Sequence, residues 1–383
     1  MSKTALWTPG LLTGHLHIAD PPADEAVASI IEKEGPQEAF RLFNLLIRNI
    51  EMPVSQLPPV IRPFLAGADA LPPWAHAPSI AEAHRFFLDH GPKALLLLYF
   101  KSLPLLYTIG KGAKVLVRTS RLANEDQSLD IFARRIAETG QFLIDVMTPG
   151  ELKTGGRGIT SIQKVRLIHA SIRHFLQTEG WDQSTLGLPV NQLHMALTLL
   201  TFSIATLDGL AQFGIDVPED WQEAYMHAWR AIGHMLGIVD DLLPDTTAEG
   251  RYLMQQILSL HAGPTEEGQL LTRSLIGFSQ NTLKAEKMAA APEILIQFLI
   301  GEQYADMLGI RHRPGCLGRM LPHSIRLAFH LGERLEDKAQ GALAKLMELL
   351  SQQTAYAMVG YFDNYKGRRF HIPEVLEKAW LVQ

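Results

Sequence analysis

The chain has 383 residues, of which 47% are hydrophobic and 20% charged, and its formal net charge is -5. These values predict a folded helical protein with ample core, and they exclude both a disordered chain and a protein that binds nucleic acid through surplus positive charge. One cysteine, Cys316, excludes an intrachain disulfide and a cysteine-based metal cluster, and the N-terminus lacks a secretory pattern, so we expect a cytoplasmic protein.

Residues 1–78 are rich in proline, which interrupts helices because it lacks a backbone donor and clashes with the preceding turn. We therefore expect an arm of short helices packed on the core, of which the clearest is a helix over 37–50. Residues 79–383 are expected to form one large helical catalytic domain.

Ser79 and Glu82 have the spacing of a capping box, which predicts a helix that ends near Asp89 because Gly91 and Pro92 follow. The apolar stretches 94–100 and 195–207 are shorter than the ~20 residues that cross a bilayer. Both are predicted to be buried helices, and no transmembrane segment is expected.

A helix is predicted over 128–147, and a second capping box, Thr160 with Gln163, predicts the start of a helix that ends near Gly180. Further helices are predicted near 190–213, 220–237, 250–262, 266–287, 292–307, 322–333 and 338–361. No alternating strand pattern occurs, so the fold is predicted to be all-α.

Within the helix that Thr160 opens, Arg166, His169 and Arg173 share one face with apolar neighbours, because positions three and four apart lie together on a helix. Two arginines on an apolar face require anions, and cofactor carboxylates would meet that need while the imidazole binds iron. Spacing alone favours a core histidine between two arginines that reach water.

The segment 165–175, VRLIHASIRHF, resembles the histidine motif of the latex clearing proteins (rubber oxygenases) and of the wider family that includes the enzyme cleaving the farnesyl chain in mycophenolic acid biosynthesis. Three further stretches resemble other blocks of this family in the same order: 133–143 (ARRIAETGQFL), 225–244 (YMHAWRAIGHMLGIVDDLLP) and 299–310 (LIGEQYADMLGI). The likeness spans roughly residues 80–315.

The resemblance implies an all-α domain with a globin-like core around haem b, in which His169 is the proximal ligand of the iron. Arg166 and Arg173 would contact the haem or its propionates, and Arg135 and Thr139 would lie in the distal pocket. Glu138 stands where latex clearing proteins have a lysine. A glutamate accepts protons but cannot donate three hydrogen bonds; an ion pair with Arg135 at i, i+3 is the structural alternative.

The implied reaction is oxidative cleavage of a carbon–carbon double bond in an isoprenoid or other unsaturated apolar substrate by dioxygen, with Arg135, Glu138 and Thr139 as catalytic residues. A member of the family that binds haem or an apolar ligand without catalysis is one alternative. A magnesium-dependent terpenoid-synthase-like lyase is another, suggested by the acidic segment 240–245. His227 and His234 with Asp240 form a further metal candidate, for which buried structural histidines are the alternative.

Overall fold

The computed structural model describes residues 2–48, 57–122, 129–283, 290–310 and 373–381. Helices dominate these ranges and no β-strand occurs in them, which confirms the all-α class. Cys316 and the predicted helices near 322–333 and 338–361 lie outside the described residues. The α-helices are α1 (Pro9–Gly14), α2 (Pro21–Glu34), α3 (Pro36–Arg48), α4 (Arg62–Gly67), α5 (Ala77–Leu97), α6 (Leu103–Tyr107), α7 (Gly110–Leu122), α8 (Leu129–Met147), α9 (Arg157–Thr178), α10 (Gln183–Leu186), α11 (Gln192–Gln212), α12 (Glu219–Met235), α13 (Thr247–His261), α14 (Glu266–Leu283), α15 (Ala291–Ile300), α16 (Glu302–Met307) and α17 (Glu374–Leu381).

In the N-terminal arm, prolines begin helices more often than they end them. Pro9, Pro21 and Pro36 each occupy the first position of a helix, where the missing N–H has no intrahelical partner to lose. Two helices of the arm, α2 and α3, therefore reach 14 and 13 residues. They pack with α9 around a small core of their own that includes Ile30, Phe43 and Leu167.

Helix α5 is longer than the sequence predicts, because it continues through Gly91 and Pro92 to Leu97. The proline removes the N–H that would reach the carbonyl of Leu88, but the indole Nε1 of Trp380 in α17 donates to that carbonyl at 3.1 Å. Gly91 leaves room for the same indole, since a Cβ there would overlap its ring. The predicted break near Asp89 is thus wrong, because the indole of Trp380 donates to the carbonyl that Pro92 leaves without a partner.

Helix α11 lies in the main core and is buried along most of its length. Among the described residues, it is the one single helix that is long and apolar enough to cross a membrane, and 83% of its apolar window is buried inside the protein. Burial by neighbouring helices is what the sequence predicts for this stretch. Helices α5, α12 and α13 also pack on this core, with a π-helix at Leu98–Ser102 linking α5 to α6.

Helix α9 begins at Arg157, three residues before the predicted capping box. Its N-cap is Gly156, which has no side chain to cap the first amides. Thr160 and Gln163 consequently lie inside the helix, and the amide of Gln163 donates instead to the carbonyls of Leu65 and Ala68. A capping-box spacing that begins three residues into a helix is therefore misleading here.

Candidate active site

His169 lies in the middle of α9. Its imidazole is deep in the protein, although the residue as a whole keeps some accessible surface. The Nδ1 atom is fully buried without a hydrogen-bond partner in the protein. Burial, reinforced by the charge of Arg173 and opposed by that of Asp20, lowers the pKa of His169 to about 4. The ring is therefore neutral near pH 7, which is the state that binds iron.

Arg166, one turn before His169, is paired with a carboxylate from the arm. Its Nε and Nη2 donate to the two oxygens of Asp20 at 2.5 and 2.7 Å, and Asp20 is only 3% exposed. The guanidinium also lies 5.3 Å from the ring centre of Phe64. Asp20 directly precedes α2, so this bidentate pair joins the arm to α9 beside the candidate iron ligand.

Arg173, one turn after His169, has a second arm carboxylate. Its Nε donates to Asp24 at 2.7 Å and its Nη1 to the carbonyl of Val190 at 3.0 Å, while Nη2 is buried without a partner. Burial raises the pKa of Asp24 more than Arg173 lowers it. Both arginines thus meet protein carboxylates, and the sequence analysis missed these two aspartates. A further contact of either arginine with a cofactor stays a prediction.

Asp145 fixes α8 against α9. This carboxylate is 4% exposed and accepts hydrogen bonds from Ser161 of α9 at 2.5 Å and Gln141 of α8 at 2.8 Å, and it pairs with Arg157 at 3.3 Å. Burial nevertheless raises its pKa. Because one buried carboxylate ties both helices, the residues of α8 have a defined position relative to His169.

The predicted distal residues lie on α8 along its boundary with α7. Arg135 donates through Nη1 to the carbonyl of Leu116 at 2.7 Å and through Nη2 to the hydroxyl of Thr119 at 2.5 Å. The hydroxyl of Thr139 donates to the carbonyl of Arg135 at 2.8 Å, and Glu138 beside it is half-buried. The structure therefore holds Arg135 by its guanidinium, while the catalytic roles of Arg135, Glu138 and Thr139 stay predictions.

Tyr107, at the end of α6, is a buried residue of this region that the sequence analysis missed. It is 3% exposed, and burial raises the pKa of its hydroxyl well above the ordinary value, although the nearby charge of Arg135 opposes that shift. Its phenol therefore stays protonated at any physiological pH. No pattern in the sequence marks it, because aromatic residues are common in helical cores.

His174 lies on a different face of α9 from His169. Its ring packs edge-on against Phe175, and partial burial lowers its pKa. This contact indicates a structural role for His174. It also makes His174 a useful control for His169.

The alternative metal candidates engage protein partners. Nε2 of His227 accepts the backbone N–H of His76 at 2.9 Å, and Nδ1 of His234 lies 3.0 Å from Asp240. Asp245 pairs with Lys3 and Arg230 at 3.3 and 2.9 Å. Within the described ranges no group of three acidic, histidine or cysteine side chains is arranged to hold a metal ion. The acidic segment 240–245 thus ties the N-terminus and α12 together.

Comparison with known proteins gives consistent results. Residues 92–347 match the family model described as "ER-bound oxygenase mpaB/B'/Rubber oxygenase, catalytic domain". The rubber oxygenase of Streptomyces sp. (strain K30) is 26% identical over 307 residues, which are 78% of this chain and 72% of that protein. A structure of latex clearing protein in the closed state superposes with a TM-score of 0.71 over 90% of each chain at 22% identity, which shows a shared fold.

Proposed function

This chain belongs to the family of the mpaB/B' and rubber oxygenase catalytic domains, and we propose that it is a haem b-dependent oxygenase that cleaves a carbon–carbon double bond. Membership makes the chain an oxygenase and hence an oxidoreductase. The proposal concerns the cofactor, the bond that is cleaved and the residues that act. The environment of His169 is the observation that carries it.

The residues around His169 fit a haem. A proximal ligand must be neutral, must direct one ring nitrogen towards the cofactor, and must lie among apolar side chains that keep water away. His169 has a strongly lowered pKa, and no side chain or backbone group of the protein bonds its buried Nδ1, so we propose Nε2 as the nitrogen that binds the iron. The carboxylates of Asp20 and Asp24 offset the charges of the flanking arginines, so the ligand is not surrounded by uncompensated cations.

When bound, a haem would supply the iron at which dioxygen is activated. In the predicted distal pocket, Arg135, which is held by its two acceptors on α7, would present a positive charge to the reacting oxygen atoms. The O–H of Thr139 already donates to the carbonyl of Arg135, and its oxygen keeps lone pairs that can accept a hydrogen bond. Glu138 would accept an allylic proton at its carboxylate.

We propose that the substrate is an isoprenoid or another unsaturated apolar molecule. The support is the name of the Streptomyces relative, a rubber oxygenase, together with the extensive apolar core next to α9 and α11. Apolar side chains contribute by excluding water and by binding an alkene through dispersion and hydrophobic contact.

Haem reconstitution tests the cofactor. The purified chain is supplemented with haem, and the Soret band and iron-ligand signature are recorded for wild type, His169→Ala and His174→Ala. We expect wild type and His174→Ala to share one spectrum and His169→Ala to lose it, because His169 is deeply buried whereas His174 is partly exposed on another face of α9. No Soret band in wild type, or an unchanged spectrum in His169→Ala, would refute the assignment.

Product analysis tests the reaction. Haem-loaded protein is incubated with squalene under oxygen, and carbonyl products are detected by mass spectrometry. We expect products with wild type and a large loss with Arg135→Ala, while the Soret band of that variant is retained. A normal haem spectrum without products from any unsaturated isoprenoid would favour the non-catalytic alternative for this substrate class.

A further inference from the structure

Helix α7 holds the guanidinium of Arg135 at two points. Nη1 of Arg135 donates to the carbonyl of Leu116 at 2.7 Å, and Nη2 donates to the hydroxyl oxygen of Thr119 at 2.5 Å. Leu116 and Thr119 are three positions apart, so they lie on one side of α7. Two acceptors on one helix fix the plane of a guanidinium, because its N–H groups have a fixed planar arrangement.

Thr119 meets Arg135 only as an acceptor, since a guanidinium has donors and no acceptor. The O–H of Thr119 points back to its own helix, where the carbonyls of Val115 and Leu116 lie at 2.9 and 3.1 Å from Oγ1. The lone pairs of Oγ1 are then left for Arg135. The carbonyl of Leu116 belongs to the backbone and would be present with any residue there, so Thr119 is the acceptor that depends on the sequence.

The helix that holds Arg135 also packs beside the helix that carries His169. Val115 of α7 is buried in a small cluster with Leu176 of α9 and with Trp181. Leu176 follows His169 by seven residues, so the two lie on the same side of α9. Helix α7 therefore contacts both α8 and α9, the two helices that carry the candidate site.

Helix α8 has another polar anchor ten residues after Arg135. There the carboxylate of Asp145 accepts the hydroxyl of Ser161 in α9 at 2.5 Å. At 1.5 Å per residue, Asp145 is about 15 Å from Arg135 along the helix axis. An anchor at that distance orients the helix but not the guanidinium, which the acceptors of α7 hold directly.

We infer that Thr119 is a positioning residue, which holds the guanidinium of Arg135 towards the reacting oxygen atoms of the candidate active site. This inference rests on the proposed function, because Thr119 has its role only through Arg135. Without the hydroxyl, Nη2 loses this acceptor and the guanidinium can rotate, so its positive charge is spread over more positions. The structural alternative is that the bond only joins α7 to α8.

Fluoride binding tests the position of Arg135. Fluoride binds ferric haem and accepts hydrogen bonds from distal donors, so its dissociation constant reports whether a cation is placed there. The full-length haem-loaded protein is titrated with fluoride as wild type, Arg135→Ala, Thr119→Val, Thr119→Ser and the double variant Arg135→Ala/Thr119→Val. Valine keeps the shape of threonine without its oxygen, whereas serine keeps the oxygen.

Thr198→Val is the matched control for the loss of a threonine hydroxyl. The O–H of Thr198 in α11 donates to the carbonyl of His194, four residues earlier, at 2.8 Å, and Thr198 is half-buried as Thr119 is. Among the described residues, no arginine donates to it. Circular dichroism melts establish that each variant is folded, and Thr119→Ala replaces Thr119→Val if valine is not tolerated.

We expect Arg135→Ala and Thr119→Val each to weaken fluoride binding by about tenfold, which is the usual effect of losing a hydrogen bond to a charged group. The double variant should bind fluoride no more weakly than Arg135→Ala, because a residue that acts through Arg135 has no effect once Arg135 is absent. Thr119→Ser and Thr198→Val should bind fluoride as wild type does.

Effects of the two substitutions that multiply in the double variant would overturn the inference. So would a loss in Thr119→Ser as large as in Thr119→Val, or wild-type fluoride affinity in Thr119→Val, which the structural alternative predicts. If the chain binds no haem, the proposed function fails, while urea denaturation of the same apoproteins still decides the contact. There, additive losses of stability in the double variant would show that Thr119 does not hold Arg135.

Discussion

Replacement of Asp20 by asparagine removes the charge that pairs with Arg166 while keeping the shape of the side chain. Asp20 is 3% exposed and the Arg166 side chain 14% exposed, so the guanidinium would remain mostly buried without its anion. Removing one partner of a buried pair costs about 3–5 kcal/mol. Because Arg166 keeps some exposure and its contact with Phe64, we expect the lower end, about 3 kcal/mol.

The effect is measurable by thermal unfolding of the apoprotein. With about 2.1 cal/mol/K of unfolding entropy per residue, 3 kcal/mol corresponds to a fall in Tm of roughly 4 °C for this chain. Asp20 makes no capping hydrogen bond to α2, so Asp20→Asn leaves that helix start intact. Glu38→Gln is the matched control: it breaks an ion pair with Arg41 whose side chains are 46% and 67% exposed, and no measurable change in Tm is expected.

A second substitution separates the loss of the pair from the cost of the orphaned charge. Arg166→Met in the Asp20→Asn background removes the unpaired guanidinium, so part of the lost stability should return. If Asp20→Asn is as mild as Glu38→Gln, or if Arg166→Met makes the variant still less stable, the buried pair does not have the energetic role given to it above.

Three further predictions use the same melting and denaturation assays. Trp380→Phe keeps the aromatic contact but leaves the Leu88 carbonyl without a donor, so we expect a loss of about 1–3 kcal/mol, and an unchanged Tm would show that water replaces the indole. Gly237→Ala should cost about 1–3 kcal/mol, because φ is +84° and the new Cβ would crowd the Asp20–Arg166 pair; a neutral result would contradict this. Burial lowers the pKa of His84 and His169 from 6.5 to about 4, so the unfolded chain binds more protons below pH 6.5 and stability is lost as the pH falls from 6.5 to 4. His84→Gln should flatten this dependence by up to about 1.4 kcal/mol per pH unit, and an unchanged slope would refute the contribution of His84.

The face that carries His169 could be predicted from helical spacing alone, and family likeness gave it a chemical role. The partners of its arginines could not be predicted, because Asp20 and Asp24 lie 146 and 149 positions away in the sequence. The spacing of apolar residues predicts which side of a helix is buried, but it does not predict which other element packs against that side. The same limit applies to Asp145, whose partner Ser161 belongs to the next helix.

The predicted end of α5 and the predicted start of α9 were both wrong. Gly91 and Pro92 are strong breakers by propensity, but a side chain from α17 supplies the missing donor. At α9, the N-cap Gly156 gives no sequence signal of its own, so the Thr160 and Gln163 pattern was mistaken for the start. Only the error at α5 arises from a distant contact, because local rules weigh only residues that are near in the chain.

The bond between Leu88 and Trp380 also determines when α5 can be completed. The indole lies 292 residues after the carbonyl that it satisfies. At about 5–20 residues per second, the ribosome takes roughly 15–60 s to make that interval. Until then we expect the Leu88 carbonyl to bond to water and α5 to bend more readily at Pro92. A nascent chain stalled before α17 should show faster amide exchange around residue 92 than the released protein. The last described helix is thus synthesised late and stabilises one of the first at its proline.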